Sequence, residues 1–135
     1  MSKVVIDTNV IVSTFISKIG KPAKILNLCF ENKLYICYTC EILQEYEEVL
    51  SRQHFNFKII NINDLLDTIK ETGILIENIK SSEINMPDES DRIFYDTAKE
   101  SGAILITGNK KHYPDEPFIL TPAEFLENLT NETVS

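Results

Sequence analysis

Short runs of β-branched and aliphatic residues alternate along this chain with segments of helical spacing, and few architectures accommodate that order. "KVVID" (3–7), "LYICY" (34–38), "GILIEN" (73–78) and "AILIT" (103–107) are of strand type, and "PFIL" (117–120) supplies a fifth. Between them, "PAKILNLCFEN" (22–32) opens with proline in its first turn, as a helix tolerates. "TCEILQEYEEVLSR" (39–52) sets Ile42, Leu43, Tyr46, Val49 and Leu50 on one face behind a Thr39 cap. "INDLLDTIKETG" (62–73) reads as a helix with Asn63 as cap and Gly73 as stop, and "SDRIFYDTAKESG" (90–102) ends on a glycine suited to the left-handed position. "TPAEFLENL" (121–129) carries the capping box Thr121 and Glu124, with proline between them at the first helical position. The stretch "QHFNFKIINI" (53–62) reads as a loop or an irregular strand. Strands and helices in this order predict an α/β fold in which helices cover both faces of a parallel sheet. Ligands of such sheets bind at the carboxyl ends of the strands, where strand order reverses.

At 135 residues the chain suits one domain over 1–130, followed by a polar tail, 131–135, expected to fray. Its 43% hydrophobic and 25% charged residues are the mixture of a globular protein. No apolar run approaches the roughly 18 residues of a membrane span. Met1 to Lys3 lead straight into a strand without a signal-peptide pattern, so the expected location is cytoplasmic. The net charge of −8 argues against nucleic-acid binding driven by a basic surface. It leaves room for an enzyme whose acids gather around cations, because bound cations reverse the potential where a phosphate must approach.

Three cysteines, Cys29, Cys37 and Cys40, do not suggest a disulfide framework. Cys37 and Cys40 have the spacing of a redox pair, against which stands a plain core role for Cys37 in its strand. With only His54 and His112 as further nitrogen ligands, zinc is poorly provided for.

Three acids carry the chemistry. Asp7 ends the first strand, where a buried carboxylate needs a neutralising partner unless it merely caps the following helix. Glu45 lies on the shoulder of its helix between Ile42 and Val49, while Glu41 and Glu48 fall on the solvent side. Asp91 occupies the shoulder of a helix whose inward face is Ile93, Phe94, Thr97, Ala98 and Ser101, and Asp96 projects outward. Asp88, Glu89 and Asp91 would also suit that helix start by opposing its dipole. Carboxylates converging from separate elements repel one another and are neutralised by hard divalent cations, of which Mg²⁺ or Mn²⁺ is expected. Two such ions about 3.5–4 Å apart support phosphodiester cleavage. No serine elbow, Walker loop or dinucleotide motif competes. An aspartyl nucleophile at Asp7 would want a second acid two residues on, where Asn9 stands.

Taken together, "VVIDTNVIVS", "EILQEYEEVL", "DESDRIFYDTA" and "AILITGNKKHYP" resemble, in order and spacing, the PIN-domain nucleases, in particular the bacterial VapC-like toxins of toxin–antitoxin modules. The resemblance implies a PIN-like three-layer α/β/α fold with a central parallel sheet of four to five strands. It carries the family's acids onto Asp7, Glu45 and Asp91, and its "T-x-D/N" onto Thr107 and Asn109. Asn109 departs from the more usual aspartate, so a second ion would be held less tightly, with Asp96 or Asp88 as sources of the missing charge. Asn9 and Ser13 are expected to line the cleft as supporting polar groups. Lys110, Lys111 and His112 are placed to meet phosphates, and Lys18, Lys21 and Lys24 form another candidate patch. The implied function is a metal-dependent endoribonuclease, the toxin of a type II module, with an RNA substrate, an antitoxin protein and a homodimer as expected partners. Asn109 also motivates the alternative of a binding or regulatory module with weak or no nuclease activity. Phe15, Phe55 and Phe57 are candidates for a partner surface, although core packing is the commoner fate of phenylalanine.

Overall fold

Val4, Val5 and Ile6 are all buried although successive strand residues point to opposite faces, so both faces of this strand are covered. A computed structural model describes residues 2–134, with side-chain surroundings through Asn131. In chain order the elements are β1 (Lys3–Ile6), α1 (Thr8–Ile16), α2 (Lys21–Phe30), β2 (Tyr35–Tyr38), α3 (Cys40–Leu50), α4 (Ile59–Thr72), β3 (Ile74–Leu75), α5 (Arg92–Ser101), β4 (Ile104–Ile106), β5 (Ile119–Leu120) and α6 (Pro122–Val134). The strands form one sheet in the order β3-β2-β1-β4-β5, and every pairing is parallel. Helices flank it, giving the three-layer α/β/α arrangement. β1 lies at the centre, with Val4 opposite Ile36 on one side and Ile104 on the other. Strand order reverses between β1 and β4, so the residues that follow these two strands, Asp7 and Thr107, flank the crevice.

Local chemistry explains most element boundaries. Thr39 caps α3 by accepting the Ile42 N–H at 3.0 Å. Thr121 and Glu124 exchange hydrogen bonds at 2.9 and 3.2 Å in the expected capping box. Gly102 ends α5 in the left-handed region at φ +71°. Gly73 ends α4 for a different reason: its backbone is extended, and a Cβ there would lie 2.7 Å from the carbonyl oxygens of both Ile36 and Ile69.

Several segments depart from the sequence reading. Residues 53–62 contain no strand; a 3-10 turn (Gln53–Phe55) leads into α4, which starts at Ile59, so Asn63 lies inside the helix and caps nothing. The apolar Ile59 and Ile60 are exposed, which hid the true start from any reading of amphipathic faces. Only Ile74–Leu75 of "GILIEN" is strand. α6 extends past Leu129 to Val134; Ser135, the last residue of the expected tail, lies outside the described residues.

Asp96 is the clearest correction. It is 6% exposed rather than outward, because the irregular segment 76–88 is hydrogen-bonded over this side of its helix. Asp96 Oδ2 accepts the Ser82 N–H at 3.1 Å, and the Arg92 guanidinium donates to the Ser82 and Ile84 carbonyls at 2.7 Å each. These two α5 side chains staple the segment down. The three cysteines are free; Cys29 and Cys37 are buried and Cys40 is exposed. Burial pushes up the thiol of Cys37, one member of the Cys37–Cys40 spacing, the opposite of what a reactive redox cysteine requires, and it raises the separate Cys29 to about 12.

Candidate active site

Asp7 follows β1 at the start of α1, but its side chain makes no cap hydrogen bond. Its Oδ2 instead accepts the Thr107 hydroxyl at 2.8 Å and the Tyr113 hydroxyl at 2.9 Å. Burial raises the Asp7 carboxyl above its usual range, and these hydrogen bonds work against the rise. The backbone arranges this from both sides of the crevice, since the Asp7 N–H also donates to the Ile106 carbonyl at 2.9 Å. Behind the strand, the fully buried Tyr46 of α3 donates its hydroxyl to the Ile6 carbonyl. That contact fixes α3, and with it Glu45, against the end of β1.

Asp7, Glu45 and Asp91 line one open cleft of about 400 Å³, together with Asn9, Asp88 and His112. Asp91 stands where a 3-10 turn (Glu89–Asp91) runs into α5. Burial, then the charges of Asp7 and Asp88, push its carboxyl up to about 6. Glu45 is raised by burial, then by Glu48, with Asp7 and Asp88 contributing and Arg52 opposing. Asp88 behaves differently, because its Oδ1 accepts the Ser90 N–H and hydroxyl at 3.0 and 2.8 Å, which hold its carboxyl low.

Two buried side-chain oxygens in this cleft, Thr8 Oγ1 and Asp91 Oδ2, have no hydrogen-bond partner among the described residues. A buried oxygen left without a donor is costly, and oxygens of this kind with carboxylates beside them are the donor set of a hard divalent cation. Among the described residues no three His, Cys, Asp or Glu side chains already stand at ligating distance. Like-charge repulsion opposes closer approach of the acids until a cation is present. The donor set fits an ion that Asp7, Glu45 and Asp91 would hold, while their spacing is not that of a preformed cage.

The remaining expected residues divide. Asn9 lines the cleft and its Oδ1 accepts the Gly108 N–H at 3.2 Å, tying α1 to the turn after β4. Ser13 does not line it; its hydroxyl donates to the Asn9 carbonyl at 3.0 Å within α1. Thr107 orients Asp7 and also accepts the Asn109 N–H at 3.1 Å. The Asn109 side-chain nitrogen lies 3.0 Å from His112 Nε2, so its amide faces the histidine. On its other side the ring places Nδ1 3.6 Å from Asp91 Oδ2. Lys110 is turned to α6, where it pairs with Glu124 at 3.2 Å, and Lys111 is exposed. Asp96 lines a separate cleft with Glu41 and Arg92. Lys21 and Lys24 border a groove between α2 and α6, apart from the acids.

Sequence reasoning missed Tyr113 and Arg52. The signal for Tyr113 was a tyrosine just beyond the loop that follows a core strand, since a buried phenol seeks a partner for its hydroxyl. Arg52 carried none, because a lone arginine after a helix is ordinarily solvated.

A family model described as "PIN domain" matches residues 3–111. The "Uncharacterized protein MJ1680" of Methanocaldococcus jannaschii is 37% identical over 110 residues, covering 80% of this chain and 71% of that protein.

Proposed function

This chain belongs to the PIN domain family, whose members are generally nucleases that use divalent metal ions, and from that premise we propose that it is a metal-dependent endoribonuclease hydrolysing RNA phosphodiester bonds. The observation that carries the reading is Asp91 Oδ2, which is buried in a cleft shared with Asp7 and Glu45 and accepts no hydrogen bond, with His112 Nδ1 3.6 Å away. Asp7, Glu45 and Asp91 hold Mg²⁺ or Mn²⁺. The ion supplies Lewis acidity, neutralising the phosphate and lowering the pKa of water. Thr107 and Tyr113 fix the Asp7 carboxylate so that its second oxygen keeps one orientation. Asn9 holds the turn after β4 against α1. The water oxygen forms the new bond to phosphorus in line with the breaking P–O bond, and the departing sugar oxygen takes up a proton. No protein side chain becomes bonded to the phosphate.

The experiment is cleavage of a mixed pool of labelled RNAs by the wild type and by Asp91→Asn, with Mn²⁺ or with chelator. Metal-dependent cleavage by the wild type that the variant lacks supports the reading. No cleavage under any condition removes it.

The same reading extends to a toxin of a type II toxin–antitoxin module, acting in the cytoplasm, bound by an antitoxin protein and assembled as a homodimer. The resemblance to the VapC-like toxins supports it, and the net charge of −8 suits a basic partner segment. Growth arrest on induced expression, relieved by Asp7→Asn, tests the toxin role. A second reading, a PIN-fold regulatory module with weak or no nuclease activity, is favoured by Asn109, which is neutral and turned toward His112. Calorimetric titration with Mn²⁺ showing no site-specific binding at millimolar metal would favour that module.

A further inference from the structure

The acids occupy only part of the cleft. Glu45, Val49 and Arg52 follow one another at i, i+4 and i+7, so one stripe of α3 and its C-terminal extension runs from a carboxylate to a cation over about 10 Å at 1.5 Å per residue. Among the described residues lining the cleft, Arg52 is the one permanent positive charge, and it forms no ion pair within 4.0 Å. Phe55 lines the cleft beside it. A single turn joins the two: the Phe55 N–H donates to the Arg52 carbonyl at 3.1 Å, and Asn56 closes the turn in the left-handed region at φ +54°. The Phe55 ring is only half-buried; the His54 ring lies tilted at 4.2 Å on it, and it stacks on Phe57 at 5.0 Å, which in turn meets Phe15 of α1 at 5.0 Å. An aromatic side chain is thus held at the rim by a ladder of rings anchored in the fold.

We propose that Arg52 and Phe55 form a nucleotide subsite beside the catalytic acids, Arg52 taking a backbone phosphate and Phe55 the base of an unpaired nucleotide flanking the scissile bond. The proposal rests on the nuclease reading for the nature of its ligand. A phosphate adjoining four carboxylates needs a fixed cation wherever the metal does not reach, and a guanidinium matches phosphate geometry. A base can meet Phe55 only when it is out of a duplex, so the subsite selects single strands without selecting sequence. The cleft volume of about 400 Å³ lies within the roughly 300–1,000 Å³ of sites that enclose small organic ligands.

Arg52 and Phe55 contact the substrate directly in this subsite, so the test reads binding rather than turnover. The probe is a fluorescein-labelled oligoadenylate RNA of roughly eight nucleotides, or its duplex, read by anisotropy in Ca²⁺ with a gel showing that the RNA stays intact. Arg52→Ala is expected to weaken single-strand binding about tenfold and to flatten its salt dependence by roughly one phosphate contact, with Arg52→Lys recovering part of both. Phe55→Leu, which keeps an apolar side chain, is expected to weaken the single strand about tenfold and leave the duplex unchanged. Thermal midpoints equal to wild type show that the variants are folded. Binding of the single strand by both variants as tightly as by wild type overturns the subsite, as does equal loss of single strand and duplex in Phe55→Leu. Cleavage in Mn²⁺, run in parallel, separates the two readings. Wild-type cleavage with KM unmoved in the variants sinks the subsite alone, whereas variant-sensitive binding without any cleavage keeps the subsite and sinks the nuclease.

Discussion

Tyr113 donates its hydroxyl to Asp7 Oδ2 across 2.9 Å, a hydrogen bond between residues 106 positions apart in sequence. Both groups are buried, so each satisfies a polar atom that water does not reach. Tyr113→Phe leaves Thr107 as the remaining side-chain donor. The expected outcome is a folded protein about 1–2 kcal/mol less stable, with cleavage or Mn²⁺ affinity reduced roughly 10–100-fold. Urea unfolding and metal titration measure the two effects separately.

Asp7→Asn and Glu45→Gln are expected to lower Mn²⁺-dependent cleavage by more than about a hundredfold, beyond what loss of an orienting partner costs, with circular dichroism unchanged. Unfolding of Asp7→Asn would instead make Asp7 a structural residue. Chelator should reduce the wild type to the level of the variants.

The pH dependence of stability follows from Asp91. Its folded-state carboxyl is pushed up to about 6, against 3.8 for an unperturbed aspartate. Between those values the folded chain keeps a proton that the unfolded chain has released. The stabilisation from that proton is complete below the unfolded value and lost as pH rises through about 6. In chelator, Asp91→Asn should therefore melt several degrees above wild type near neutral pH, at roughly 4 °C per kcal/mol for this length, with the gain falling to about half near pH 5 and becoming small only near about pH 4. Saturating Mn²⁺ should reverse the order at neutral pH, because only the wild type keeps the full ligand set. Differential scanning fluorimetry across pH reads the sign directly.

Gly73→Ala and Gly102→Ala separate two uses of glycine. At Gly73 the added methyl meets two carbonyl oxygens at 2.7 Å, so strand or helix must shift, at an expected cost of about 1–3 kcal/mol or more. At Gly102 nothing lies within 4 Å and only the positive φ opposes alanine, so the expected loss is about 1 kcal/mol. Equal losses in denaturant melts would contradict the close approach at Gly73.

Thiol reactivity should be graded by burial. Cys40, exposed at the start of α3, should react with a disulfide reagent in the native protein, and Cys29 and Cys37 only on unfolding. Fast native reaction of Cys37 would reopen the redox reading.

The parallel sheet was legible because its strands are short, apolar and punctuated by caps that local hydrogen bonds enforce, as at Thr39 and Thr121. Asp7 was legible because an acid after a run such as Val4, Val5 and Ile6 has few explanations. Tyr113 was not, since its role exists only once the loop after β4 folds back over β1. Asp96 misled for a related reason: a helical projection treats everything off the core face as solvent, whereas the segment 76–88 covers that side without any periodicity to announce it. Ile59 and Ile60 misled in the other direction, being apolar residues that a helix start leaves exposed.

The pairing of Val4 with Ile104 also sets a schedule for the molecule. Asp7, Glu45 and Asp91 are all translated before the strand that completes their surroundings, and Tyr113 follows Asp7 by 106 residues. At roughly 5–20 residues per second, a ribosome needs on the order of 5–20 s to pass from one to the other. Throughout that interval the emerging chain holds its acids without the crevice that gathers them, so a newly made copy has no assembled cleft until its last quarter is free to close the sheet.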